Sequence, residues 1–134
     1  MQTVKKLMDL PISGSGCLWA RFAYREKDAT LKFGYTDRQT GQSSIGTLFF
    51  NYVITFRFWD EPHMPLYFYE ESYESVAEVA DSQWLAELER TEPKSSYSKL
   101  WRRRHFAVLL SSCGFFELIG DDCEFSTRKA NEQN

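Results

Sequence analysis

From Leu18 onward, apolar and polar side chains alternate. Leu18, Ala20, Phe22 and Tyr24 fall on one side, and Trp19, Arg21, Ala23 and Arg25 on the other. A period of two is a strand signature, so this segment reads as a strand with its even positions toward a core. Glu26-Lys27-Asp28 is a charged turn, and Leu31, Phe33 and Tyr35 alternating with Lys32 and Gly34 predict a hairpin partner. After the loop 37–42, residues 45–59 form the longest β-like run, dense in Phe and β-branched side chains. That composition suits a central strand covered on both faces. The run is long for one strand, so a bulge or bend is expected near Asn51.

Pro62 and Pro65 end that run, because each removes a donor and biases its neighbour toward extended geometry. Leu66-Tyr67-Phe68-Tyr69 predicts a short strand. Ser82 is a suitable N-cap for a helix through Arg90, with Trp84, Leu85 and Leu88 as its apolar stripe. Val76 and Val79 fit either an earlier start of that helix, near Ser75, or a separate strand. Residues 91–98 form a polar loop. Two apolar runs, 105–110 and 115–120, flank Ser111-Ser112-Cys113-Gly114 and predict a second hairpin. Residues 121–125 add a final strand.

Residues 1–17 read as a lead-in with a flexible Ser13-Gly14-Ser15-Gly16 turn, and 127–134 as a solvated tail. The expectation is one domain over 1–126, of class α+β, with a mostly antiparallel sheet and one or two short helices packed on it. At 134 residues, the chain is large enough to bury a core without covalent staples.

Charge changes the picture most. Residues 60–92 carry ten acids and one base, Arg90, and are therefore net −9 in a chain whose total is −3. Such asymmetry attracts and steers a body of opposite sign. Glu70, Glu71, Glu74 and Glu78 are interleaved with Tyr67, Phe68, Tyr69 and Tyr73 as an acidic-aromatic surface, and rigid rings surrounded by acids suit capture of a basic protein. A solvated face that keeps the protein soluble would carry the same residues.

Other chemistry is thinner. His63, His105, Cys113 and Cys123 lack a metal-ligand spacing, so no metal is expected. Cys113 and His105 share a predicted hairpin but stand well apart along it, which does not suit a Cys–His nucleophile. No phosphate-binding loop or dinucleotide glycine fingerprint is present, and neither enzymatic activity nor a cofactor is expected. Arg102-Arg103-Arg104 beside Trp101 would suit phosphate and base stacking, but the low isoelectric point and the acidic segment argue against nucleic acid. Internal pairing with acids is the alternative for that run. The three cysteines have no framework spacing and read as buried thiols of a cytoplasmic protein. No stretch approaches the ~20 apolar residues of a membrane span.

Three segments together resemble the small bacterial immunity proteins of polymorphic and contact-dependent toxin systems. They are Gly46-Thr47-Leu48-Phe49-Phe50-Asn51-Tyr52-Val53-Ile54-Thr55-Phe56-Arg57-Phe58-Trp59-Asp60-Glu61, then Ser82-Gln83-Trp84-Leu85-Ala86-Glu87-Leu88, and the closing pair His105-Phe106-Ala107-Val108-Leu109-Leu110 and Phe116-Glu117-Leu118-Ile119-Gly120. The resemblance covers about 80 residues and implies stoichiometric neutralisation of a toxin domain, with no catalytic residues to carry over. It also implies that Arg57, Asp60, Glu61, Ser82, Trp84, His105 and Glu117 pin strands and turns together. The expected partner is thus a basic toxin domain, met by Glu70, Glu71, Glu74, Glu78, Tyr69 and Tyr73. An aromatic-lined pocket for a small molecule on a curved sheet is the alternative.

Overall fold

The computed structural model describes residues 2–92 and 102–130. Among these residues, nine strands make two sheets. They are β1 (Val4–Asp9), β2 (Ile12–Arg25), β3 (Asp28–Asp37), β4 (Ser43–Asn51), β5 (Thr55–Trp59), β6 (Ser75–Val79), β7 (Arg104–Leu110), β8 (Gly114–Gly120) and β9 (Asp122–Lys129). The larger sheet has the order β1-β6-β7-β8-β5 and the smaller β2-β3-β4-β9, with antiparallel pairing throughout both. Two α-helices among the described residues complete the α+β fold, α1 (Tyr69–Ser72) and α2 (Gln83–Thr91).

Alternation along the strands builds the layers. Leu31, Phe33 and Tyr35 of β3, with Leu48 and Phe50 of β4, meet Phe106, Val108, Leu110, Phe116 and Leu118 of the larger sheet in one buried cluster. The opposite face of β7 and β8 offers Ala107, Leu109 and Phe115 to Met64, Phe68 and Val79 in a second cluster. The central strands β7 and β8 are therefore covered on both sides, which is why they read as continuous apolar runs. Between the clusters the fold has three layers: small sheet, large sheet, and the segment carrying α1 and α2.

Several expectations hold at the level of single elements. The charged turn joins β2 to β3 with Glu26 and Lys27 both at positive φ, and β7–β8 is the second hairpin. Ser82 caps α2, its Oγ accepting from Leu85 N–H at 2.9 Å. The open choice at 75–79 falls to a strand, because Val76 and Val79 pair with Val108 and His105.

Others need correction. The lead-in contains β1, an edge strand, and the Ser13–Gly16 run lies inside β2, which bulges there with Gly16 at φ +82°. The interruption expected near Asn51 is a full change of sheet: Tyr52 turns at φ +50°, and β4 and β5 belong to different sheets. Leu66–Phe68 is a 3-10 turn leading into α1 and not a strand, because Pro65 caps it and only Phe68 is buried. The tail begins later than 127, since β9 runs to Lys129 and Thr127 Oγ1 lies 2.6 Å from Tyr35 Oη. The expected polar loop at 93–98 and Trp101 lie outside the described residues.

Candidate functional site: an acidic-aromatic surface over a buried ion network

Cross-strand register aligns Arg57 of β5 with Glu117 of β8, on the face of the large sheet that points toward α2. Glu117 is fully buried and accepts four hydrogen bonds: Arg57 Nε at 2.7 Å, Arg57 Nη2 at 3.0 Å, Trp59 Nε1 at 2.6 Å and His105 Nε2 at 2.7 Å. Burial alone would push this carboxyl up, but the hydrogen bonds from His105, Arg57 and Trp59 outweigh it and hold the pKa below the usual value. Because a carboxylate only accepts, Nε2 of His105 carries the ring proton toward it. Nδ1 then meets Ser82 Oγ at 2.7 Å, and the same Oγ caps α2. Trp84, two residues into the cap turn, sets its ring edge-on to His105 at 5.1 Å and face-on to the Arg57 guanidinium at 4.0 Å.

Five of the seven positions implied to be architectural thus form one network, from the cap of α2 through His105 and Glu117 to β5. The other two act at turns. Glu61 accepts from Ser112 N–H at 3.1 Å across the β7–β8 turn, and the Asp60 carbonyl accepts from His63 N–H. Ser82, His105 and Glu117 are the residue types of an acyl-transfer triad, but the arrangement differs. The serine is committed as a helix cap, it faces Nδ1, and both it and the histidine are buried. This geometry suits a latch.

Above that latch lies the surface singled out by charge. Tyr69 and Tyr73 bracket α1, remain exposed, and set their rings 5.3 Å apart. Glu70 and Glu71 stand between them in the first turn of α1. Leu66, 84% exposed, and Tyr67 extend the patch. Its underside is fixed: Phe68 packs on Phe115 at 5.0 Å, Ser72 Oγ donates to the Phe68 carbonyl, and Glu74 N–H donates to Leu109 O at 2.7 Å. Tyr67 is exposed as the sequence pattern predicts and Leu66 joins it, whereas Phe68, expected on the same surface, is buried beneath it because it anchors the segment on Phe115.

The four glutamates expected to act together divide into two kinds. Glu74 accepts from Ser111 Oγ at 2.5 Å, and Glu78 receives a two-pronged contact from Arg104 at 2.7 and 3.2 Å. Both are half-buried and occupied within the fold. Glu70 and Glu71 have no such contact among the described residues. The arginine run pairs internally: Arg102 with Asp121 and Asp122, Arg103 with Glu92, and Arg104 with Glu78 and Asp122.

Two further features lie apart from that surface. An aromatic cleft of about 260 Å³ opens where β5 and β2 flank the sheets, lined by Phe22, Phe56, Phe58 and Phe116. Cys17 and Cys113, read as separate thiols, touch across the two sheets. His105 contacts neither of them, and no group of three or more metal-capable side chains occurs among the described residues. No helix among them is long and apolar enough to cross a membrane.

No protein-family model, curated protein or solved structure matches this chain.

Proposed function

We propose that the chain is a stoichiometric protein-binding inhibitor of the bacterial immunity type, acting in the cytoplasm on a cognate basic toxin domain. It works by occlusion, without a cofactor or catalytic residue of its own. The observation that carries this reading is the α1 segment, where Tyr69, Glu70 and Tyr73 project to solvent, with half-buried Glu71 beside them, from a base locked by Phe68 and Ser72. A rigid aromatic pair contributes contact area at small entropic cost, and unpaired acids beside it speed encounter with Lys or Arg. Glu74 and Glu78 add to the field while their carboxylates stay engaged inside the fold.

The test is affinity capture from the source organism's lysate at two salt concentrations, followed by co-expression with the basic protein retained. The wild-type chain restores growth, and the Glu70→Lys/Glu71→Lys variant does not. Purified, that variant associates at least ~10-fold more slowly at low salt, with a weaker salt dependence. Unchanged rescue and association rate would remove α1 from the mechanism.

One observation favours a second reading, a small-molecule binding module: the cleft lined by Phe22, Phe56, Phe58 and Phe116. A screen of flat apolar compounds by thermal shift separates the two. A ligand whose stabilisation disappears in Phe56→Ala would support the cleft, because only binding to the native state raises the melting temperature.

A further inference from the structure

The chemistry not used by the latch or the α1 surface lies where the small sheet meets the β7–β8 turn. Cys17 of β2 and Cys113 of that turn, 96 residues apart, bring their sulfurs to 2.9 Å. The Cys113 S–H points at Cys17 Sγ, and the Cys17 S–H points at the Trp19 carbonyl at 3.1 Å. Backbone contacts hold the two segments in place independently of the thiols. Cys17 N–H donates to Ser111 O at 3.2 Å, and a Cβ at Gly16 would lie 2.8 Å from Ser111 Oγ. Gly16, Ser112 and Gly114 all adopt positive φ around the pair. The third cysteine, Cys123, sits on β9 opposite Phe50.

We propose that Cys17 and Cys113 are a dithiol–disulfide couple that closes covalently between the two sheets. Reaching the ~2.0 Å of a disulfide needs a sulfur movement of roughly 1 Å, within what two side-chain rotations supply. Access is asymmetric. Cys17 is buried, whereas Cys113 is half-buried beside a cleft of about 280 Å³ lined by Asp60, Glu61, Pro62, Ser112 and Gly114. Desolvation, reinforced by Cys113, pushes the Cys17 thiol up, so Cys113 is the group that reacts first.

The oxidant is a low-molecular-weight disulfide of the glutathione class. The Cys113 thiolate attacks one of its sulfurs, the S–S bond breaks, and one glutathione thiolate leaves with the electron pair. Cys17 then attacks Cys113 Sγ and expels the second glutathione thiolate, which takes up the Cys17 proton. Two protein thiols are oxidised and one oxidised glutathione is reduced to two molecules of glutathione. The closed loop is long, so the staple restricts the unfolded chain strongly. It also fixes the turn that holds Glu74 through Ser111 and Glu61 through the Ser112 amide.

The experiment equilibrates the full chain in glutathione buffers of about 1 mM, quenches with acid, alkylates, and maps the peptides by mass. In the oxidised buffers the Cys17–Cys113 link should exceed the Cys113–glutathione adduct by at least ~10-fold, because a sulfur already in contact has an effective concentration far above the buffer's. Cys17→Ser should accumulate the adduct at Cys113. Cys123→Ser should form the link as wild type does, with a melting temperature raised by about 10 °C and restored by dithiothreitol. A wild-type chain that stops at the adduct, links Cys123 instead, or leaves Cys113 unmodified in the fully oxidised buffer would overturn the proposal. So would a link that leaves the melting temperature unchanged.

Discussion

Replacing Glu117 with Gln keeps the shape of the side chain and removes its charge. In wild type, one carboxylate oxygen takes Arg57 Nε and Trp59 Nε1, and the other takes Arg57 Nη2 and His105 Nε2. An amide can keep the first oxygen's role, but its NH2 group must then face Arg57 Nη2, donor against donor. His105 can adapt by moving its proton to Nδ1, toward Ser82. Arg57 cannot adapt, because a guanidinium has no acceptor. Removing one partner of a buried ion pair costs about 3–5 kcal/mol. The lower end applies, since the Arg57 side chain stays 37% exposed and water screens part of its loss.

The expected destabilisation is about 3 kcal/mol, or a fall in melting temperature of about 10 °C for a chain of this size. Urea titration followed by tryptophan fluorescence measures it, with Trp59 and Trp84 both at the site. The pH dependence adds a sharper check. The folded carboxyl is depressed below its ordinary value of 4.5, so its stabilisation is complete above that value and is lost as pH falls through the folded pKa. Wild type and Glu117→Gln should therefore differ fully at pH 7 and converge on acidification below pH 4.5. A difference under about 1 kcal/mol at neutral pH, or one that persists unchanged in acid, would refute the assignment of Glu117 as a buried, paired carboxylate.

Ser82→Ala removes the α2 cap and leaves His105 Nδ1 without its partner, and should cost about 2 kcal/mol in urea unfolding. Gly114→Ala places a methyl group against the Phe58 ring at a φ of +135° and should cost about 3 kcal/mol, visible as a loss of folded protein in a thermal scan. Arg21 and Lys32 stand directly opposite each other on β2 and β3, a like-charge pair on an exposed face. Lys32→Glu should therefore stabilise by about 0.5 kcal/mol, with the gain shrinking in high salt.

Which parts of the fold were legible follows from the range of the interaction that decides them. The β2–β3 and β7–β8 hairpins are set by alternation and a short turn, both local, and they appear where the pattern puts them. Strand β1 offers Val4, Lys5, Lys6, Leu7, Met8 and Asp9, of which only Val4 and Met8 are half-buried, so an edge position erases the periodicity that would have revealed it. The division of 45–59 between sheets is decided by pairing with β9 on one side and β8 on the other, both distant in the chain. At Leu66–Phe68, aromatic β-propensity loses to Pro65 and to the single buried anchor Phe68.

The site divides along the same line. A run of acids in the sequence states how much charge is present, but not which carboxylates are left for a partner. That is settled by where the chain returns its cations. Arg103 comes back to Glu92 and Arg104 to Glu78, so two of the nine net negative charges of 60–92 are offset within the fold. Ser111 and the Ser112 amide engage Glu74 and Glu61 in the same way. Asp60, Glu70, Asp81, Glu87 and Glu89 remain exposed, and of these Glu70, with half-buried Glu71 beside it, stands between two tyrosines on α1. Reversing Glu78 would therefore break the Arg104 contact and lower stability, confusing a loss of fold with a loss of binding. Reversing Glu70 and Glu71 changes the field at the surface and leaves the described ion pairs intact, which makes them the informative positions for any partner.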